Sequence, residues 1–139
     1  MEVDTSTGQV TVTRVVVAHD CGLIINPEGI KMQIDGNVIQ GISRTLLEEV
    51  RFDASGVKSR DWVSYPVARF QHVPKIEYVL INRPDLPFDG AAESAVIAIP
   101  AAIGNAVFDA TGVRLREVPF TRERVLNALK NRESAVRRT

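Results

Sequence analysis

The first part of the chain changes from an alternating pattern to a helical one. Valines and threonines alternate over residues 10–17, which is typical of a strand buried on at least one face. We predict that this strand ends at residues 18–22. Asn26 followed by Pro27 then indicates a helix start, with Asn26 as the N-cap and Pro27 at the first helical position.

Apolar residues recur every four positions after this start, which predicts one long amphipathic helix. The residues of this stripe are Ile30, Ile34, Val38, Ile42 and Leu46. Gly36 and Gly41 weaken a helix interior, so two shorter helices are the alternative.

Shorter segments separated by turn residues make up the rest of the chain. We predict a hairpin at 50–58 around the turn 53–56, an irregular stretch at 62–74, and a strand at 76–81. A proline-rich loop at 84–90 follows. The last predicted elements are a helix at 100–111 ending at Gly112, a short strand at 113–115, and a helix from the cap Thr121 through Leu129. Irregular interleaving of strands and helices favours the α+β class, as a two-layer α/β sandwich with a mixed sheet. Residues 1–130 would form this α/β sandwich, and residues 131–139 would form a basic, disordered tail.

Composition narrows the classes of function. The 139 residues are 45% hydrophobic, enough for one core, and 17 Lys+Arg balance 17 Asp+Glu, which argues against nucleic acid as the main partner. The one cysteine favours a reducing compartment. Neither a membrane-spanning apolar run nor a secretory leader pattern is found, so we expect a cytoplasmic protein.

Three neutral amides share one face of the predicted long helix. Gln33, Asn37 and Gln40 fall within roughly 60° of arc at 100° per residue. With Gly36 and Gly41 beside them, they suit hydrogen bonding to the edge of an uncharged heterocycle at close backbone approach. The alternative is an uncharged polar surface.

A lone carboxylate stands among small residues between the proline-rich loop and the next helix. Gly90, Ala91 and Ala92 precede Glu93, and small neighbours let a bulky ligand approach it. Glu93 is therefore a candidate general base. The alternative is a glutamate at a helix start, where it interacts favourably with the helix dipole.

A third set of residues has metal-binding or nucleophilic chemistry. His19 and Cys21 share a face at the end of the first long strand, and His72 could join them as metal ligands or as a thiol–imidazole pair. Their spacing matches no recognised metal motif, and a core cysteine with a turn-forming histidine is the alternative. We predict no protein metal ligands.

Several segments together resemble the C-terminal lobe of the large subunit in the xanthine dehydrogenase and aldehyde oxidase superfamily, closest to the bacterial isoquinoline 1-oxidoreductase and nicotinate dehydrogenase type. They occur in the family's order from about Val3 to Leu129. The segments are residues 15–27, 33–36 with Gln40 and Gly41, 48–49, 65–66, 90–93 and 105–116.

This resemblance implies a molybdenum–molybdopterin cofactor, often a cytosine dinucleotide in bacteria, and hydroxylation of aldehydes or N-heterocycles with oxygen from water. Glu93 matches the family's catalytic glutamate, which takes a proton from a metal-bound hydroxyl. Gln33 matches its pterin-contacting glutamine. Gly90, Ala91 and Ala92 would pack beside the metal centre, and a separate iron–sulfur subunit would carry the electrons away.

Three departures from the family pattern affect these expectations. Ala92 and Met32 stand where the family has glycines. The glycine-rich segments of the family's earlier lobe are absent, so we expect the isolated chain to bind cofactor poorly and to need the remaining lobes. A non-catalytic remnant or interaction module of the same fold is the alternative function. Apolar surface that other lobes would cover also predicts self-association.

Overall fold

The computed structural model describes residues 1–136 as six strands, three α-helices and one 3-10 turn. In chain order they are β1 (Glu2–Asp4), β2 (Gln9–Thr11), β3 (Arg14–Asp20), α1 (Pro27–Leu46), β4 (Phe52–Asp53), β5 (Gly56–Val57), the 3-10 turn (Phe70–His72), β6 (Lys75–Ile81), α2 (Ile99–Thr111) and α3 (Arg122–Val136). The hairpin, the irregular stretch, the strand near 76–81 and the loop at 84–90 are confirmed. No helix in this part of the chain is long and apolar enough to cross a bilayer.

The strands form pairs, and the α+β class is confirmed. β1 pairs with β2 and β4 with β5, both antiparallel, whereas β3 pairs with β6 in parallel. The strand predicted over 10–17 is two strands, because the chain changes its pairing partner after Thr11: β2 pairs with β1, and β3 pairs with β6. Within residues 1–136 the three pairs therefore stay separate and do not join into the single mixed sheet that we predicted.

Helix α1 is one continuous helix, so the two-helix alternative is wrong. Its start is as predicted: the Asn26 side-chain oxygen accepts a hydrogen bond from Gly29 N at 2.9 Å, and Pro27 follows. The apolar stripe is buried from Ile30 to Ile42. Burial of this stripe outweighs the weak helix propensity of the two internal glycines.

The core lies between the β3–β6 pair and helices α1 and α2. Val15, Val17 and His19 of β3 point inward, and α2 packs against α1. The Tyr78 hydroxyl of β6 donates a hydrogen bond to the Asp35 carboxylate of α1. That bond ties the strand pair to the helix, and it is the main reason that the pKa of Tyr78 is raised to about 12.

The C-terminal third differs from the predictions in two places. Gly112 ends α2 with φ 69°, as predicted, but residues 113–115 are not a strand, because no neighbouring strand in the described chain pairs with them. Thr121 caps α3 as predicted, accepting a hydrogen bond from Arg124 N at 3.3 Å. Helix α3 continues past Leu129 to Val136, beyond the point where we predicted the tail to begin. The rest of that predicted tail, residues 137–139, lies outside the described residues.

Candidate functional site

The proline-rich loop is fixed against the end of β3 by a glycine. Gly22 has φ 73°, and a Cβ at this position would lie 2.0 Å from the Pro87 carbonyl oxygen. Only glycine accommodates both the left-handed backbone and this contact. Asp89 N donates to Cys21 O at 2.8 Å, which holds the loop beside the start of α1.

A cavity of about 330 Å³ lies between this loop and the first two turns of α1. Its lining residues include Cys21, Leu23, Gln33, Phe88, Ala91 and Ala92. Gln33 is exposed, and its side-chain amide makes no hydrogen bond to any described residue. One amide group with free donors and a free acceptor therefore faces a largely apolar cavity.

Asn37 lies one turn further along α1 and is 5% exposed. Its side-chain nitrogen donates to Gln33 O at 2.6 Å and to Ala92 O at 2.8 Å. Its side-chain oxygen accepts from Val96 N at 3.2 Å. Both amide hydrogens are thus engaged within the chain, and a direct contact from Asn37 to a ligand would require one of these bonds to break.

Glu93 lies between the two backbone positions that Asn37 holds. Its side chain is exposed and makes no hydrogen bond to the described residues. It follows Ala92, the last residue of the cavity wall, and Val96 N bonds back to Glu93 O at 3.2 Å. Since α2 begins only at Ile99, Glu93 is outside the first helical turn, where the helix-dipole alternative required it.

The predicted site residues are therefore brought together only in part. Gln33, Ala91 and Ala92 share the cavity, and Gly90 lies next to it with no atom within 4 Å of its Cβ position. Gln40 is exposed and outside the cavity. The close approach expected at Gly41 is made by another helix: a Cβ there would lie 2.7 Å from the Ile99 Cβ.

Sequence reasoning missed part of the cavity lining, to which Leu23, Phe88 and Asp89 contribute. A signal was present, because Phe88 is a large apolar residue in a loop of prolines and a glycine, where an aromatic side chain has no core to enter. Asp89 gave no comparable signal, because aspartate is a common residue in turns. Its carboxylate accepts a hydrogen bond from Gly90 N at 2.7 Å.

The histidines and the cysteine do not form one site. Cys21 lines the cavity beside Gln33, whereas His72 lines a second cavity of about 700 Å³ near the end of α1. His19 is buried, and its Nε2 atom has no hydrogen-bond partner. Over residues 1–136 no three His, Cys, Asp or Glu side chains are placed to hold a metal ion together. The thiol–imidazole and metal-ligand alternatives are not supported.

Known proteins have sequences similar to this one, and solved structures have a similar fold. The family described as molybdopterin cofactor-binding domain matches residues 1–74. A subunit of nicotinate dehydrogenase from Pseudomonas putida is 51% identical over 127 residues, which cover 91% of this chain and 11% of that protein. The beta subunit of isoquinoline 1-oxidoreductase from Brevundimonas diminuta is 34% identical over 83% of this chain and 15% of that protein. The crystal structure of quinoline 2-oxidoreductase from Pseudomonas putida 86 superposes with a TM-score of 0.85 at 34% identity, covering 92% of this chain and 17% of that one.

The family match and the fold define a cofactor-binding domain of α+β class. The chain belongs to the molybdopterin cofactor-binding domains of the xanthine dehydrogenase and aldehyde oxidase superfamily. The predicted type, that of nicotinate dehydrogenase and isoquinoline 1-oxidoreductase, is confirmed among its relatives. The chain spans only 11% to 17% of the length of these three proteins.

Proposed function

We propose that this chain supplies one wall of the cofactor site, together with the proton-accepting glutamate, in a molybdenum hydroxylase that oxidises aldehydes or N-heterocycles. When bound, the molybdenum–molybdopterin cofactor supplies the two-electron oxidation and the oxygen derived from water. The remaining lobes of the molybdenum subunit and an iron–sulfur subunit are the partners that this function requires.

The observation that carries the proposal is the double attachment of the Glu93 segment to the amide face of α1. Through Asn37, the backbone on both sides of Glu93 is bonded to the helix that presents Gln33 to the cavity. The segment that carries the Glu93 carboxylate is thereby attached to the helix that carries the Gln33 amide. An acceptor for a proton and a group that orients a ligand are the two functions that such a site needs.

The residues of the cavity fit a pterin-type heterocycle. The Gln33 amide offers both donors and an acceptor to ring nitrogen and oxygen atoms, and Ala91 and Ala92 leave room for a planar group. Gln40 lies seven residues further along α1, about 10 Å at 1.5 Å per residue. A contact to Gln40 thus needs a ligand that extends beyond the cavity, as the larger cytosine dinucleotide form of the cofactor would.

Glu93 is the group that moves a proton. As a carboxylate without a local hydrogen-bond partner, it would accept a proton at an Oε atom and later release this proton to water. Gly90, Ala91 and Ala92 add no bulk that would separate the carboxylate from a large ligand. General-base groups contribute about 10²- to 10⁴-fold to a reaction rate.

The openness of the site explains why we expect the isolated chain to be inactive. Both Gln33 and Glu93 are exposed in this chain. Water screens exposed polar groups and competes for their hydrogen bonds, so an effective site must be covered. The other lobes of the molybdenum subunit would provide that cover and the second half of the cofactor contacts.

The test is to co-express the chain with the remaining lobes and the iron–sulfur subunit and to measure bound molybdenum and turnover. Gln33→Leu should lower the molybdenum content, because the leucine removes the free amide and keeps a similar volume. Asn131→Leu, which changes an exposed amide on α3, should leave it unchanged. A complex that assembles fully but holds no molybdenum would contradict the proposal and favour a non-catalytic remnant of the fold.

A further inference from the structure

We propose that Asn37 is a positioning residue for Glu93, a buried amide that fixes the location of the carboxylate relative to the Gln33 cavity. This inference rests on the proposed function. It gives Asn37 a role different from the direct cofactor contact that we predicted from the helix face alone.

The hydrogen bonds of Asn37 account for this role. Each of the two amide hydrogens reaches a carbonyl oxygen, one on Gln33 in the same helix and one on Ala92 in the loop. The amide oxygen accepts the backbone N–H of Val96. Ala92 lies 55 residues after Asn37 in the sequence, and Val96 lies 59 residues after it. The bonds to these two residues are therefore tertiary contacts and not local features of the helix.

The attachment leaves the Glu93 backbone little freedom. Residues 93–95 are all that lie between the two bonded positions, and Ala95 is 8% exposed and packs in the core. Val96 N also bonds to Glu93 O at 3.2 Å, which closes a turn. The backbone of Glu93 is therefore fixed on both sides, while its side chain stays free to meet a ligand.

The chemistry at position 37 requires a neutral amide. An aspartate there keeps the volume and the acceptor for Val96 N, but it sets a carboxylate oxygen against two carbonyl oxygens. A leucine keeps the approximate shape and satisfies neither the Ala92 carbonyl nor the Val96 amide. Both variants release one or both attachments, because a buried polar group without a partner is unfavourable.

The matched control is Ser43→Ala on the same helix. Ser43 is 4% exposed, and its hydroxyl accepts a hydrogen bond from Ala68 N at 2.8 Å. This bond also ties α1 to a distant segment, but one remote in sequence from Glu93. Ser43→Ala thus reproduces the loss of a buried helix-to-loop bond and leaves the Glu93 segment attached.

The experiment compares Asn37→Asp, Asn37→Leu and Ser43→Ala in the complete complex. By hydrogen–deuterium exchange, the peptide covering residues 91–98 should exchange about tenfold faster in both Asn37 variants, as expected for one or two lost buried hydrogen bonds, and at the wild-type rate in Ser43→Ala. The two Asn37 variants should also lower kcat by about 10- to 100-fold through misplacement of the base, with KM and molybdenum content unchanged.

Several outcomes would overturn the inference. A faster exchange at 91–98 with an unchanged kcat would show that the attachment does not position the base. Loss of molybdenum with unchanged exchange would mean that Asn37 contacts the cofactor directly. If Asn37→Leu does not fold, Asn37→Asp decides alone, because it keeps the volume and the Val96 acceptor. A Glu93→Gln variant with full activity would refute the proposed function itself, which is a separate result.

Discussion

The contact between α1 and α2 offers a quantitative test of the fold, because two glycines of the same helix should respond with opposite signs. Gly41 is buried, and an added Cβ would lie 2.7 Å from the Ile99 Cβ and 2.8 Å from its Cγ2. Gly36 is not fully buried, and its Cβ position has no neighbouring atom within 4 Å. The same change, glycine to alanine, therefore meets a packed helix at one site and open space at the other.

Helix propensity and overpacking together set the change in the free energy of unfolding for each variant. Alanine stabilises a helix interior by about 0.5–1 kcal/mol relative to glycine, and Gly36→Ala should gain this whole amount. At Gly41 the same gain is opposed by overpacking, which costs about 1–3 kcal/mol because the backbone or Ile99 must shift. Gly41→Ala should thus destabilise the chain by up to about 2.5 kcal/mol, after the helix-propensity gain is subtracted from the overpacking cost.

Urea unfolding of the 139-residue chain, followed by circular dichroism, measures both variants on one scale. The two midpoints should move in opposite directions at constant slope, and the melting temperatures should differ by several degrees, given about 2–8 °C per kcal/mol for domains of this size range. Equal stabilisation by both substitutions would refute the α1–α2 packing. The placement of the Glu93 segment depends on this packing, because that segment leads directly into α2.

Three further predictions concern other parts of the chain. The hydrogen bond to Asp35 raises the pKa of Tyr78 to about 12, so the stability that this bond contributes is complete below about pH 10 and is lost as the pH rises through about 12. An absorbance titration should show this late-titrating tyrosine. Tyr78→Phe should remove both the late titration and the pH-dependent part of the stability. Gly22→Ala should destabilise the chain by more than about 1 kcal/mol in urea unfolding, because its Cβ meets Pro87 O and its φ is positive; an unchanged midpoint would contradict the loop placement. The chain alone should self-associate in light scattering through exposed apolar side chains such as Phe70 (98% exposed) and Trp62 (69% exposed), and Phe70→Ser should reduce this; a monomer at high concentration would contradict it.

Local signals in the sequence predicted the helices well. Asn26 and Pro27 mark the start of α1, Gly112 marks the end of α2, and both assignments depend on backbone chemistry within a few residues. The division of the first strand was not predictable in this way. Val12 and Thr13 have the same strand preference as their neighbours, and only the change of pairing partner separates β2 from β3.

The candidate site also depends on tertiary contacts that local sequence signals do not reveal. Periodicity placed Gln33, Asn37 and Gln40 on one face, but it could not show that a loop 55 residues away covers the middle amide and leaves the outer two exposed. Periodicity reports which side of a helix is polar, whereas burial depends on tertiary partners. The cavity wall at Phe88 depends in the same way on the distant contact between Gly22 and Pro87.

We propose that Glu93 accepts a proton in the reaction of the complete enzyme. The most direct measurement is kcat of Glu93→Gln in the reconstituted complex, with molybdenum content measured on the same sample and Asp85→Asn, a change of an exposed carboxylate in the neighbouring loop, as the control. We predict a kcat lower by about 10²- to 10⁴-fold in Glu93→Gln at full molybdenum content, with Asp85→Asn unchanged. A Glu93→Gln enzyme that holds molybdenum and turns over at the wild-type rate would contradict the claim.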